Sequence, residues 1–139
     1  MQDTFDLKDE ALLKASGALT GGIGGLADTC GSMIGATLVL GSVCGKGRQD
    51  ADDEKGLKKL FESVRQAADY FIWFKGEKDT VNCREIITRH GKGTFYDFGK
   101  PDQAKAAREA GVFDKCVELV QNNAAEAAEI LWDELHPEN

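Results

Sequence analysis

A glycine-rich apolar segment at residues 21–45, GGIGGLADTCGSMIGATLVLGSVCG, constrains the fold of this chain more than any other feature. Asp28 or Thr29 can cap a helix that runs to about Val43. The side chains of this segment are apolar on nearly all sides of such a helix. We therefore expect a buried, glycine-rich helix at this place.

Two glycines of this helix need an explanation. Gly31 and Gly35 lie one turn apart on one helix face, and glycine in a helix interior costs roughly 1 kcal/mol relative to alanine. Something nearby must use the space that the missing side chains leave. Close helix packing would use it, and so would access to Cys30, which stands beside Gly31. We expect the two glycines to allow a close approach beside Cys30.

Two other interpretations of the segment are weaker. Gly22, Gly24 and Ala27 match the dinucleotide-binding pattern G-x-G-x-x-A, but that pattern needs a preceding strand, and a helix precedes it here. A membrane span needs about 20 apolar residues. Residues 29–45 are fewer, and Asp28 stands at one end without basic or aromatic anchors nearby.

The rest of the chain also has helical periodicity and no alternating strand of convincing length. One long amphipathic segment has apolar residues at three- and four-residue steps, namely Leu57, Leu60, Phe61, Val64, Ala68 and Phe71. We expect an all-α fold, a single-domain bundle of five to six helices spanning residues 1–139. The predicted helices cover residues 9–19, 28–43, 53–75, 83–89, 101–110 and 112–135.

Charge and chain length limit the function. The 139 residues carry a net charge of −7, which argues against nucleic-acid binding because that needs a basic face. The acidic N-terminus lacks the apolar stretch of a secretory signal. We therefore expect a cytoplasmic protein, in which thiols stay reduced unless they take part in redox or metal chemistry.

The four cysteines differ in their positions on the predicted helices. Cys30 and Cys83 fall in first turns, where free N–H groups and the helix dipole favour a thiolate. Cys44 falls near a helix end, where the dipole disfavours one. Cys116 lies inside the last helix, on a stripe that we expect to face inward with Phe113, Val117 and Val120. No C-x-x-C pair is present, so only the fold can assemble a joint site.

Three stretches carry a family resemblance: LLKASGALTGGIGGLADTCGSMIGATLVLGSVCGKG, VNCREII and AREAGVFDKCVELVQNNAAEAAEIL. They resemble the redox-active protein family named C_GCAxxG_C_C, whose members are small helical proteins. Cys30 corresponds to the cysteine of the CGAxxG box and Gly31 and Gly35 to its glycines, while Ser32 replaces the alanine. Cys83 and Cys116 correspond to the last two cysteines. A similar domain occurs in split-Soret cytochromes, where these cysteines are associated with an iron-sulfur cluster.

The resemblance implies a redox function for Cys30, Cys83 and Cys116, and two mechanisms stay open. The three cysteines, with a fourth ligand, would bind an iron-sulfur cluster for electron transfer. Alternatively, Cys30 or Cys83 would attack a disulfide and another cysteine would resolve it. The protein would then be an oxidoreductase or an electron-transfer component with a redox partner protein. A different class of function is a non-catalytic helical interaction module with structural cysteines.

Two features depart from the family pattern. The family's first cysteine has no counterpart near residue 1, so we expect either that a leading helix is missing or that the chain is a divergent member. Cys44 lies outside the pattern. A helix places it on the order of 20 Å from Cys30, at about 1.5 Å per residue. We therefore expect Cys44 to be structural or to contact a second subunit of a homodimer.

Overall fold

The computed structural model describes residues 5–50 and 52–136, and in these ranges it contains six α-helices and no strands. The all-α prediction is confirmed. In the same ranges, no helix is both long enough and apolar enough to cross a membrane. The helices are α1 (Glu10–Ser16), α2 (Gly31–Cys44), α3 (Glu54–Lys78), α4 (Cys83–His90), α5 (Pro101–Glu109) and α6 (Val112–Leu135).

The helix starts follow from local chemistry. Side chains of Asp9, Asp53 and Asn82 accept hydrogen bonds from the backbone N–H groups that α1, α3 and α4 leave unpaired at their first turns. Pro101 occupies the first position of α5, where its missing N–H costs nothing. At α2 the predicted caps are wrong. Cys30 itself is the N-cap residue, and its side chain makes no capping bond.

Helix α2 lies at the centre of the bundle and packs against α3 and α6. Its buried residues follow one face and Leu38 is exposed, so the expected burial of this apolar helix is present on one side of it. The reason is that only two long helices cover α2, and they leave one side of it open. The main core contains Met33, Ala36, Leu40, Tyr70, Phe74, Ile86, Leu119, Ala127 and Leu131.

A second, smaller core lies between α4, α5 and the start of α6. Its buried residues are Cys83, Ile87, Ala107 and Val112, and half-buried aromatic side chains surround them. Phe98 and Phe113 stack there with ring centroids 4.7 Å apart.

Helix α3 departs from the usual amphipathic arrangement, in which the apolar stripe faces the core. The side chains that face α2 and α6 are those of Gln66, Tyr70 and Phe74. The apolar stripe recognised in the sequence lies on the exposed side of the helix, with Phe61 67% exposed. Helix α3 therefore has two apolar faces, and only one of them is covered within the described chain.

Candidate functional site

The site begins where the chain brings two helix starts together. Thr29 and Asn82 form an isolated antiparallel backbone bridge just before α2 and α4. The Cys30 N–H donates to the Val81 carbonyl at 2.8 Å, and the Cys83 N–H donates to the Asp28 carbonyl. Cys30 and Cys83, 53 residues apart in sequence, therefore lie on adjoining segments at the starts of neighbouring helices.

A glycine in the loop before α2 makes room for Cys83. Gly22 has φ +75°, a conformation that side-chain-bearing residues rarely adopt. A Cβ atom placed there would lie 2.6 Å from the Cys83 Cβ. Gly22 therefore serves a tight turn against a cysteine and is not part of a nucleotide-binding loop.

Cys30, Cys83 and Cys116 line the same cavity of about 420 Å³. It lies between the two cores, since Cys30 belongs to the main core and Cys83 to the smaller one. Its other walls are almost entirely apolar and include Leu19, Ile86, Ile87, Phe98, Phe113 and Leu119. The three cysteine side chains thus line one apolar pocket, and none of them forms a disulfide.

The two box glycines have different roles. A Cβ atom at Gly31 would lie 2.2 Å from the Leu19 carbonyl oxygen, so the close approach expected there is present. At Gly35 a Cβ atom would meet nothing within 4 Å, so no part of the described chain packs closely there and the space beside it stays open. The chain at Leu19 packs directly on Gly31, and Gly35 lines the cavity one turn later.

Ser32 connects Cys30 to the last helix. The Asn123 Nδ2 donates a hydrogen bond to the Ser32 Oγ at 2.7 Å, and the Ser32 Oγ lies 3.1 Å from the Cys30 Sγ. Because the Ser32 oxygen accepts from Asn123, its own hydrogen can be donated to the Cys30 sulfur. Such a donor stabilises a thiolate. Asn123 is buried, so this arrangement is held inside the fold.

Burial in the cavity wall changes the pKa of the other two thiols. Burial, followed by negative charge on Cys30 and then on Cys116, raises the pKa of Cys83 to about 12. Burial and then charge on Cys30 raise the pKa of Cys116 to about 11. The position of Cys83 at a helix start predicted a thiolate. For the free thiol this prediction is therefore wrong. Loss of solvation outweighs the helix dipole there.

Cys116 also has a polar neighbour. The Cys116 Sγ lies 3.6 Å from the His90 Nδ1, at the end of α4. Burial, and then the nearby Lys115 ammonium, lower the pKa of His90, and the neutral imidazole can accept a hydrogen bond from the Cys116 thiol. The stripe predicted to face inward with Cys116 is only partly buried, because Val117 and Val120 are exposed. Helix α6 turns these two residues toward solvent, and Val120 also lines the cavity.

Cys44 is separate from this site. It is buried at the end of α2 in the main core, and it does not line the cavity. Burial, and then the Glu134 carboxylate, raise its pKa, while a hydrogen bond from Gln66 lowers it. These surroundings belong to α3 and α6 of the same chain, which fits the structural alternative better than a contact with a second subunit.

The donor set can be compared with what a metal centre needs. Thiolates in an apolar cavity are the usual ligands of iron-sulfur clusters, so the kind of donor fits. The spacing of these side chains does not fit a site for a single metal ion. Within residues 5–50 and 52–136, no three Cys, His, Asp or Glu side chains are close enough together to hold one metal ion.

The family assignment rests on a match over nearly the whole chain. A family model described as "Putative redox-active protein (C_GCAxxG_C_C)" matches residues 1–130. This chain belongs to the C_GCAxxG_C_C family. Searches of curated proteins and of solved structures gave no significant match. The description of the family gives redox activity as the broad function of its members.

Sequence reasoning did not assign roles to three residues of the site. Ser32 was visible only as a departure from the family box. Asn123 lies 91 residues from the serine that it contacts, and no local pattern marks it. His90 is seven residues after Cys83, two turns along α4, which gave a weak signal that they share a face.

Proposed function

We propose that this protein carries out thiol–disulfide redox chemistry, with Cys30 and Cys83 as the reacting pair and Cys116 as a third thiol of the same cavity. One observation carries the proposal: three cysteines separated by 53 and 33 residues in sequence line one small apolar cavity. Burial alone does not explain why these three cysteines line the same cavity. Cys44 is equally buried, but it does not line the cavity. Family membership supports the redox character.

Cys30 is the attacking thiol in this proposal. It is the only one of the three that begins its helix as the N-cap residue, and a serine hydroxyl can donate to its sulfur. A thiol at a helix start beside a hydroxyl group is placed as an attacking thiol of thiol–disulfide exchange would be. Cys83 and Cys116 are held as neutral thiols by burial and are suited to act second.

The thiol–disulfide exchange takes place in two steps. The Cys30 thiolate attacks one sulfur of a partner's disulfide, forms a mixed disulfide and releases one partner thiolate, which takes up a proton. The Cys83 thiol then loses its proton and attacks the Cys30 sulfur, which releases the second partner thiol. The protein ends with a Cys30–Cys83 disulfide, and the partner has gained two electrons and two protons.

Disulfide mapping tests this proposal. The reduced protein would be treated with excess oxidised glutathione without oxygen and then digested, and its disulfides would be identified by mass spectrometry. We expect a Cys30–Cys83 link, with Cys44 still a free thiol. The Cys44→Ser variant should give the same link and serves as the control. Four free thiols after oxidation, or a link that includes Cys44, would contradict the assignment.

An iron-sulfur cluster is the second candidate, and the third thiol favours it, since a disulfide uses only two. Cys30, Cys83 and Cys116 would hold the cluster, with His90 beside Cys116 as a fourth ligand. A bound cluster would supply one-electron transfer. Iron and acid-labile sulfide would be measured in protein purified without oxygen. Stoichiometric iron that is lost in Cys83→Ser and kept in Cys44→Ser would favour the cluster over the disulfide.

A further inference from the structure

Apolar residues on the exposed side of α3 have the spacing that is found where two helices pack together. We call this row of residues the seam. Leu57, Phe61, Val64, Ala68 and Phe71 follow one another at steps of four, three, four and three residues. This is the 3.5-residue average of a coiled-coil seam, carried over two heptads. A scattered set of surface hydrophobic residues has no such register, so these side chains form one continuous apolar face on the exposed side of α3.

Nothing in the described chain covers this seam. Helix α3 contacts α2 and α6 through its other face. Phe61 is 67% exposed and Val64 56% exposed, and Leu60 and Ile72 widen the stripe on its two sides. Together these side chains expose roughly 600 Å² of apolar surface, at the upper end of the largest patch on a typical monomer.

The charges beside the seam suit a second copy of the same helix. Lys58 pairs with Glu62 and Arg65 pairs with Asp69 along one flank, each within the helix. These pairs leave that flank neutral. Helix α3 carries six basic and four acidic residues, a net charge of +2 in a chain of net charge −7. Two copies can therefore meet at α3 with less repulsion than the acidic remainder of the surface would cause.

We infer that two copies of this chain form a symmetric dimer through the Leu57–Phe71 face of α3. A two-fold interface uses the same patch on both partners, and it is the commonest arrangement of homo-oligomers. A stable interface buries about 800 Å² on each partner. The seam supplies most of that area, and the aliphatic stems of Lys58 and Arg65 at its edge supply the remainder. The inference does not depend on the proposed redox chemistry.

A membrane surface is the other occupant that a basic amphipathic helix can have. The structure favours the second copy for two reasons. Lys58 and Arg65 beside the seam are already paired with carboxylates. In addition, the acidic chain as a whole is repelled by anionic lipid.

The test is the mass of the full chain in solution, measured by light scattering after size-exclusion chromatography at about 10 to 200 µM under reducing conditions. We expect the mass of two chains. Phe61→Glu and Val64→Lys should each raise the dissociation constant at least about 100-fold and give the mass of one chain, because the symmetry places each charge in the interface twice. Both side chains are exposed, and circular dichroism should show unchanged helix content.

Leu13→Glu is the matched control, since Leu13 is 59% exposed on α1, away from the seam. It should keep the mass of two chains. A mass of one chain for the unmodified protein throughout this range would overturn the inference. So would a dimer that survives both seam substitutions. Sedimentation of a one-chain species with phosphatidylglycerol vesicles, lost in Phe61→Glu, would assign the face to lipid and overturn it too.

Discussion

Thr29 and Asn82 pair through their backbones, and each stands directly before a cysteine that begins a helix. This single bridge fixes how α2 and α4 start relative to each other. The backbone bonds from Cys30 to Val81 and from Cys83 to Asp28 flank it. Backbone hydrogen bonds therefore set the relative position of Cys30 and Cys83 in the wall of the cavity.

The glycines of α2 offer the sharpest test of the packing. Gly31→Ala should lower the free energy of unfolding by about 1–3 kcal/mol, because its Cβ would collide with the Leu19 carbonyl. Gly35→Ala should raise it by up to about 1 kcal/mol, because no atom lies near and alanine favours the helix. Urea unfolding of both variants measures the difference. Equal effects of the two substitutions would contradict the packing described at Gly31.

The Ser32 hydroxyl should control the reactivity of Cys30. We expect Ser32→Ala to slow alkylation of Cys30 at pH 7 by about threefold to tenfold, because the sulfur loses a hydrogen-bond donor. It also leaves the buried Asn123 amide without its partner, which costs about 1–3 kcal/mol of stability. Ser42→Ala is the control on the same helix, since the Ser42 hydroxyl bonds only to the Val39 carbonyl at an exposed position.

Mass spectrometry of quenched samples follows each cysteine separately. The control should leave the Cys30 rate unchanged. If Ser32→Ala reacts at Cys30 as fast as the unmodified protein, the hydroxyl does not act on that sulfur, and the choice of attacking thiol loses its main support.

Alkaline pH should destabilise the fold through the cavity thiols. Burial raises the pKa of Cys83 to about 12 and of Cys116 to about 11, from an ordinary value of 9.0. Between these values the folded protein keeps protons that the unfolded chain releases. The stability present below pH 9 is therefore lost as pH rises toward 12, at up to about 1.4 kcal/mol per pH unit for each thiol.

Urea unfolding at several pH values from 8 to 10.5, under reducing conditions, checks this slope. The Cys83→Ala variant should lose stability less steeply than the unmodified protein, whatever its stability at pH 8. Ser42→Ala should keep the full slope. Identical slopes for Cys83→Ala and the unmodified protein would show that Cys83 titrates normally in the fold.

The sequence predicted the helices well because their ends are marked locally. Asp53, Asn82 and Pro101 are residues whose own chemistry begins a helix, and the structure places helix starts at each of them. The face of α3 that packs inward was not predictable in the same way. Periodicity shows that a stripe such as Leu57–Phe71 needs a partner, but it does not show whether the partner lies in the same chain.

The site was predictable in part, and for a different reason. The family resemblance selected Cys30, Cys83 and Cys116 and set Cys44 apart, whereas helix position alone gave the wrong direction for the Cys83 pKa. Desolvation depends on the walls of the cavity, which form only on folding. The contact between Asn123 and Ser32 likewise exists only because α6 packs against the start of α2.

An equilibrium redox titration tests the central claim most directly. The protein would be equilibrated without oxygen in buffers of graded reduced to oxidised dithiothreitol, and the free thiols of each cysteine would be counted by mass spectrometry. Our account predicts that Cys30 and Cys83 titrate together as a two-electron couple, in which a tenfold change in the equilibrium constant shifts the potential by about 30 mV. The transition should persist in Cys44→Ser and vanish in Cys83→Ser. Thiols that stay reduced at every ratio, or that oxidise without pairing Cys30 to Cys83, would contradict it.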